Sequence, residues 1–268
     1  MAAAQEEAFR RLERGDFRGP APQQPVPLSE LDKALTQARA ALSGANYSRL
    51  GAALPSLLAT AEAPRNQTAP GRARDRSHAA VARGYVLATE LAVKHHSPMA
   101  WATSDRALTS ARASGDPQVI AAAARMVVIA MHRYGKAADT AQFLTRTALA
   151  LALDEAHQGD PPPAALDAKT VLLLTPGYSA AVAGDRSTAL DLLNEADETP
   201  ARITRAHRRQ DGLFTLAATR AECEMYRISS YNALRTPDDG ILHARRVNPF
   251  QLPTPEVTAR FLTDSGHM

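Results

Sequence analysis

The chain is 268 residues long, with 45% apolar and only 5% aromatic content, enough for one elongated repeat domain or two small globular ones. Its formal net charge of +3 is too small to argue for nucleic acid. A single cysteine, Cys223, excludes an internal disulfide and fits a reducing compartment.

Roughly one residue in five is Ala, and strong β formers are scattered rather than alternating in blocks, a composition that favours closely packed helices. Only Lys33, Lys94, Lys136 and Lys169 are lysines. The remaining basic residues are Arg, a bias that fits a GC-rich genome. The N-terminus, MAAAQEEAFRRLERGDF, carries acids where a signal peptide would be apolar. The longest apolar stretches, such as Val127 to Met131, fall far short of a membrane span. A soluble, cytoplasmic chain without membrane contact is expected.

Residues 1–28 read as an N-terminal extension, a short polar helix followed by the Pro/Gln-rich linker GPAPQQPVP. Residues 29–268 read as one helical repeat domain. Its first helix is expected to start with Ser29 as N-cap and to carry Leu31, Ala34, Leu35, Ala38 and Leu42 on one face. Ser43-Gly44 ends it. A second helix begins near Tyr47 with Leu50, Leu54, Leu57 and Leu58 on one side, and Pro55 should kink or break it. Ala63 to Arg76 reads as a loop. Helix pairs follow at about 77–95 and 98–112, 117–133 and 137–156, and 164–184 and 187–197. An Arg-rich polar stretch from Arg202 to Asp211 leads to helices at about 213–235 and 238–247. Thr254-Pro255-Glu256 then starts another, with Thr254 as N-cap and Pro255 at the first helical position.

Small residues recur where the second helix of each pair would cross the first. Ala100 and Ala107 stand seven apart, as do Ala141 and Ala148, and Ala189 and Ala196, and Gly240 takes the early place in a further unit. The intervals are longer and less regular than the about 34 residues of the standard tetratricopeptide repeat. A small side chain there lets helix axes approach to about 8 Å. Each hairpin exposes an apolar side that only the next can cover. The expected fold is all-α, a tetratricopeptide-like α-solenoid of antiparallel helix hairpins.

Three stretches carry a family likeness. They are GYVLATELAVKHHSPMAWATSDRALTSARASGDP at 84–117, NYSRLGAALPSLLATAEA at 46–63, and MYRISSYNALRTPDDGILHARRVNPFQLPTPEVTARFLTD at 225–264. Together they resemble the carboxy-terminal, tetratricopeptide-like sensor region of actinobacterial transcriptional regulators of the Xre type, over residues 29–264. In that family an amino-terminal helix-turn-helix domain precedes the sensor. No such domain fits into residues 1–28, and Met268 leaves the last repeat incomplete. The expectation is therefore either a piece of a longer regulator or a stand-alone sensor. Trp101, Asp105 and Arg106 belong to the first likeness motif and are expected to be structural, with Trp101 packing between hairpins and Asp105-Arg106 forming an inter-repeat ion pair.

The chain contains no phosphate loop, nucleophile elbow, His-Glu-x-x-His or dinucleotide fingerprint. No enzymatic activity, cofactor or metal is expected. His95 and His96 are adjacent on a helix and point about 100° apart, which suits helix capping better than chelation. His207 and Asp211 have the spacing of a base and its orienter, but also of a solvated helix end. Cys223 sits among apolar neighbours and reads as a buried, inert thiol. The candidates for ligand contact lie on first helices of later hairpins. Arg125, His132 and Arg133, with Tyr134 after them, form one set beside Met126. Glu224, Tyr226, Arg227 and Tyr231 form the other, flanked by Arg220 and Asn232. Arg and Tyr together suit anionic or peptide-like ligands.

The expected function is a non-enzymatic regulatory module. It binds a small-molecule signal or a peptide or protein partner in the groove, with transcription control as the output that the resemblance implies. A homodimer is an allowed assembly. DNA would be contacted only through a helix-turn-helix domain, since Arg72, Arg74 and Arg76 make too weak a basic stripe. The alternative is a regulator-like scaffold recruited as a biosynthetic enzyme or a resistance protein that binds a natural product. Its mark would be a closed apolar pocket on which His132, Tyr226 or Glu224 converge.

Overall fold

The computed structural model describes residues 26–63, 70–132, 163–198 and 219–266. Every regular element among them is helical, and helices pack against their neighbours in sequence order. This is the all-α, helical-hairpin class expected. The chain forms two compact units, Met1–Ala130 and Met131–Met268. The expected helix at 137–156, with Ala141 and Ala148, and the stretch around His207 and Asp211 lie outside the described residues.

The first unit holds α1 (Leu28–Ser43), α2 (Tyr47–Glu62), α3 (Arg72–Lys94), α4 (Met99–Ser114) and α5 (Pro117–His132) up to Ala130. In α1 the spacing of Leu31, Leu35, Ala38 and Leu42 buries one face. Ser29 is not its cap. Pro27 occupies that position with no side-chain hydrogen bond, and the helix starts at Leu28. Proline has no N–H to satisfy there and its fixed φ suits a helix entry. Pro55 does not break α2, which runs unbroken from Tyr47 to Glu62 with Pro55 buried. Residues 72–76 of the expected loop are helical, because α3 begins at Arg72 behind Gly71, whose φ of 131° redirects the chain. Three successive polar residues, Arg74, Asp75 and Arg76, hide that start, since the first turns are solvated on all sides.

Turn chemistry then sets each hairpin. Asn46 Oδ1 accepts from Arg49 N at 3.1 Å and caps α2. Gly115 ends α4 in the left-handed region at φ 67°, and Asp116 Oδ1 accepts from Gln118 N at 2.9 Å to start α5. The small residues act as expected at the α3–α4 crossing. Ala100 and Ala107 are buried, and Ala100 meets Ala92 and Ala130. Beside them Thr89 Oγ1 donates to Thr103 Oγ1 at 2.9 Å.

The second unit holds α6 (Pro163–Val182), α7 (Arg186–Glu198), α8 (Arg220–Ala233), α9 (Pro237–Ala244), a short 3-10 turn (Pro249–Gln251) and α10 (Pro255–Ser265). The helix expected from 213 begins at Arg220 instead. Thr219 is extended and its hydroxyl accepts from Glu222 N at 3.2 Å, an N-cap that ends any continuation backwards. Thr254 and Pro255 take the cap and first-turn places read from the sequence, with Thr254 Oγ1 accepting from Val257 N at 3.3 Å. Ala189 and Ala196 are buried, as is Gly240. One core cluster joins α6, α7 and α8 through Val171, Leu174, Leu193, Ala196, Cys223 and Tyr226. A second joins α8 to α10 through Met225, Ile228, Val257 and Phe261.

The contacts also give helix direction. Thr175 meets Tyr226, and further along Ala180 and Ala181 meet Ala233 and Leu234, so α6 and α8 run the same way. Glu222 meets Arg260, and Ser229 meets Asp264, so α10 runs with them. The three first helices therefore end side by side.

Candidate functional site

Among the residues expected to touch a ligand, most of the charged ones are occupied inside the protein. Arg125 is 8% exposed and stands 4.0 Å from Glu90, which also binds Arg39. Arg227 is buried, and its guanidinium donates to Asp197 Oδ2 at 2.5 Å and Asn194 Oδ1 at 2.7 Å on α7. Glu224 is buried and faces α9. Its Oε2 accepts from His243 Nδ1 at 2.5 Å and its Oε1 from Arg246 at 3.3 Å. Tyr231 stacks on the same His243 at 5.5 Å, and Arg186 lies over the Tyr231 ring at 5.6 Å. Arg133 and Tyr134 lie outside the described residues. Arg220 is exposed at the first turn of α8, and Met126 is core.

The motif around Trp101 also differs from its expectation. The Trp101 ring is 46% exposed rather than packed away between hairpins. Arg106 reaches back to α3, donating to Tyr85 Oη at 3.3 Å and lying over its ring at 5.8 Å. Asp105 makes no ion pair among the described residues. Both residues stand on the solvated side of α4, because burial there is taken by Thr103, Ser104 and Ala107. His95 N donates to the Leu91 carbonyl and His96 N to the Val93 carbonyl to close α3, with His96 at φ 55° in the turn. Among the described residues no group of three or more His, Cys, Asp or Glu could hold a metal ion.

Two candidates, His132 and Tyr226, meet in one place. Met131 and His132 close α5 and belong to the second unit. His132 Nε2 lies 2.5 Å from Ser179 Oγ, and its ring meets Tyr178 edge-on at 5.6 Å. Tyr178 packs on the cluster that holds Tyr226. Tyr226 Oη lies 3.5 Å from Thr175 Oγ1, and Arg260 covers the Tyr226 ring at 5.4 Å. Arg260 in turn donates to Glu222 at 2.6 Å. His132, Tyr178, Tyr226 and Arg260 thus form a row across the first helices, where large polar side chains replace the apolar residues of the core. Ser229 Oγ donates to Asp264 Oδ2 at 2.5 Å and Asn232 Nδ2 to the Asp264 carbonyl at 2.8 Å, tying α8 to α10 beside that row.

The electrostatics follow from burial. Desolvation pushes the His132 pKa down to about 4, so the ring is neutral at pH 7. Burial raises the Tyr178 phenol, and the negative charge of Asp264 raises it further, followed by Tyr226. Burial pushes the Cys223 thiol up to about 12, and the residue is 1% exposed. It is the inert thiol expected.

The His132–Ser179 contact has the reach of a nucleophile and base, but its protons run the wrong way. Ser179 Oγ donates to the Thr175 carbonyl at 2.9 Å. Its single proton is used there, so His132 Nε2–H must donate to Ser179 Oγ. The serine is also fully buried in the last turn of α6, where no carbonyl carbon can approach. Glu224 points to α9 and does not converge with His132 and Tyr226.

The sequence reading passed over Tyr178, His243, Arg260 and Asp264. The signal for Tyr178 is present, since Thr175, Tyr178 and Ser179 interrupt the otherwise apolar second half of α6. Arg260 and Asp264 stand one helical turn apart and look like an ordinary solvated pair. Only their partners on α8 separate them.

Comparison with family models, with curated proteins and with solved structures finds no match to this chain.

Proposed function

We propose that this chain is a non-catalytic binding module of the sensor type. It takes a small-molecule signal or a peptide partner on the first-helix face of its second unit. The row His132, Tyr178, Tyr226 and Arg260 carries this reading. Aromatic and polar groups spread over successive helices, half-buried at His132, Tyr178 and Arg260 and buried at Tyr226, supply flat apolar contact and directional hydrogen bonds at once. The resemblance to Xre-type regulators makes transcription control the output. DNA contact in that reading belongs to a helix-turn-helix domain and not to the repeat. Ser179 supports binding over chemistry, because its proton is committed to the Thr175 carbonyl. Among the described residues no helix is long and apolar enough to cross a membrane.

The test is a thermal-shift and calorimetric screen of metabolites and host peptides against the wild type and Tyr178→Ala. A hit that stabilises the wild type and loses at least tenfold in affinity in the variant supports the reading. Hits that bind both proteins equally, or turnover of a hit, count against it.

A further inference from the structure

We infer that the shared end of α6, α8 and α10 is a subsite for an organic cation, an alkylammonium group held by the Asp264 carboxylate and the Tyr178 ring. This deepens the binding reading above and rests on it. Three independent features converge there.

The first is the carboxylate itself. Asp264 is half-buried, and its side chain accepts only the neutral Ser229 hydroxyl at 2.5 Å, with no ion pair among the described residues. A carboxylate held in a partly dry place without a counter-charge favours any cation that reaches it.

The second is helix direction. α6, α8 and α10 end together at Val182, Ala233 and Ser265. A helix C-terminus carries about half a negative charge. The ends of α6, α8 and α10 add to the Asp264 charge, offset in part by the starts of α7 and α9 at Arg186 and Pro237. Of the cations nearby, Arg235 stands exposed in the turn after α8, and the others are engaged. Arg186 is held by Asp239 at 2.8 Å and Thr236 at 3.0 Å, and Arg260 by Glu222 at 2.6 Å. His132 is neutral at pH 7.

The third is an acceptor without a donor. Asn232 gives its Nδ2 to the Asp264 carbonyl at 2.8 Å, which leaves Oδ1 as the other atom of the amide. That oxygen is buried with no hydrogen-bond partner among the described residues. An orphaned buried acceptor is unfavourable. An ammonium brings three donors and one charge. Tyr178 adds an aromatic face, with His132 edge-on against it at 5.6 Å, which suits a cation within about 6 Å of a ring centre. A free amine and a lysine side chain share this chemistry.

The experiment titrates the full chain with n-butylammonium, with neutral n-butanol, and with a lysine tripeptide blocked at both ends, by calorimetry and by amide shifts in NMR. Millimolar binding of an ammonium probe is expected, with no binding of butanol at equal concentration. Whichever of the amine and the peptide binds tighter identifies the source. Asp264→Asn keeps a side-chain acceptor for Ser229 and removes the charge, and it should weaken ammonium binding at least fivefold. Tyr178→Leu keeps the charge and removes the ring, and it should weaken binding about threefold. It decides the matter if the first variant fails to fold. Equal binding of butanol and butylammonium, no binding of either ammonium probe, or unchanged affinity in a folded variant overturns the assignment. If the ammonium probes fail while a ligand from the broader screen still depends on Tyr178, the cation subsite falls and the binding module stands.

Discussion

His132 supplies a stability difference that can be worked out before any measurement. Its imidazole ionises near 6.5 in an unfolded chain and near 4 in the folded one, because burial disfavours the charged ring. The folded pKa is the depressed one. Above pH 6.5 both states are neutral and the group contributes nothing. As pH falls from 6.5 towards 4, the unfolded chain takes a proton that the folded chain refuses, and stability drops. By linkage the loss between pH 7.5 and pH 5 is about 2 kcal/mol. For a unit of this size that corresponds to about 8 °C in Tm. Other titrating groups act over the same range, so the measurement is a difference. His132→Gln keeps a donor for Ser179 Oγ and removes the titration. Urea unfolding of both proteins at pH 7.5 and pH 5 should show the wild type losing about 2 kcal/mol more than the variant. Equal losses, within about 0.5 kcal/mol, would refute the buried, neutral imidazole.

Two further outcomes follow from burial. Ala107 is fully buried at the α3–α4 crossing, so Ala107→Leu should lower stability by about 1–3 kcal/mol, read as a lower urea midpoint. Ala113→Leu on the exposed side of the same helix should change it by less than about 0.5 kcal/mol. Cys223, buried and with its thiol pushed up to about 12, should react with a disulfide reagent at pH 8 at least about a thousandfold more slowly than the same chain in denaturant. Comparable rates would show that the α7–α8 packing is open.

The class of fold was legible because helix hairpins are written in local terms. Ala100 and Ala107, or Ala189 and Ala196, stand at a fixed spacing, and Gly115-Asp116 and Gly184-Asp185 name turns. Where local reading failed, a neighbouring group had changed the meaning of a residue. Pro55 reads as a break, yet its buried ring sits within an unbroken α2. Ser29 looks like a cap, but Pro27 enters the helix first. Trp101 reads as an anchor between hairpins and stands 46% exposed.

The candidate site shows the same division. Arg125, Glu224 and Arg227 stand out in the sequence because large charged residues on a first helix are costly unless used. They are used, but by Glu90, His243 and Asp197 from other helices. Asp264 drew no attention because nothing within one turn of it is unusual. Helix content, hairpin turns and small-residue crossings come from interactions a few residues apart, and the chain alone determines them. Which carboxylate keeps a counter-charge, and which ring faces it, depends on residues of other helices, such as Arg260, which reaches Glu222 from 38 positions along the chain. Only the packing of α6, α8 and α10 decides that.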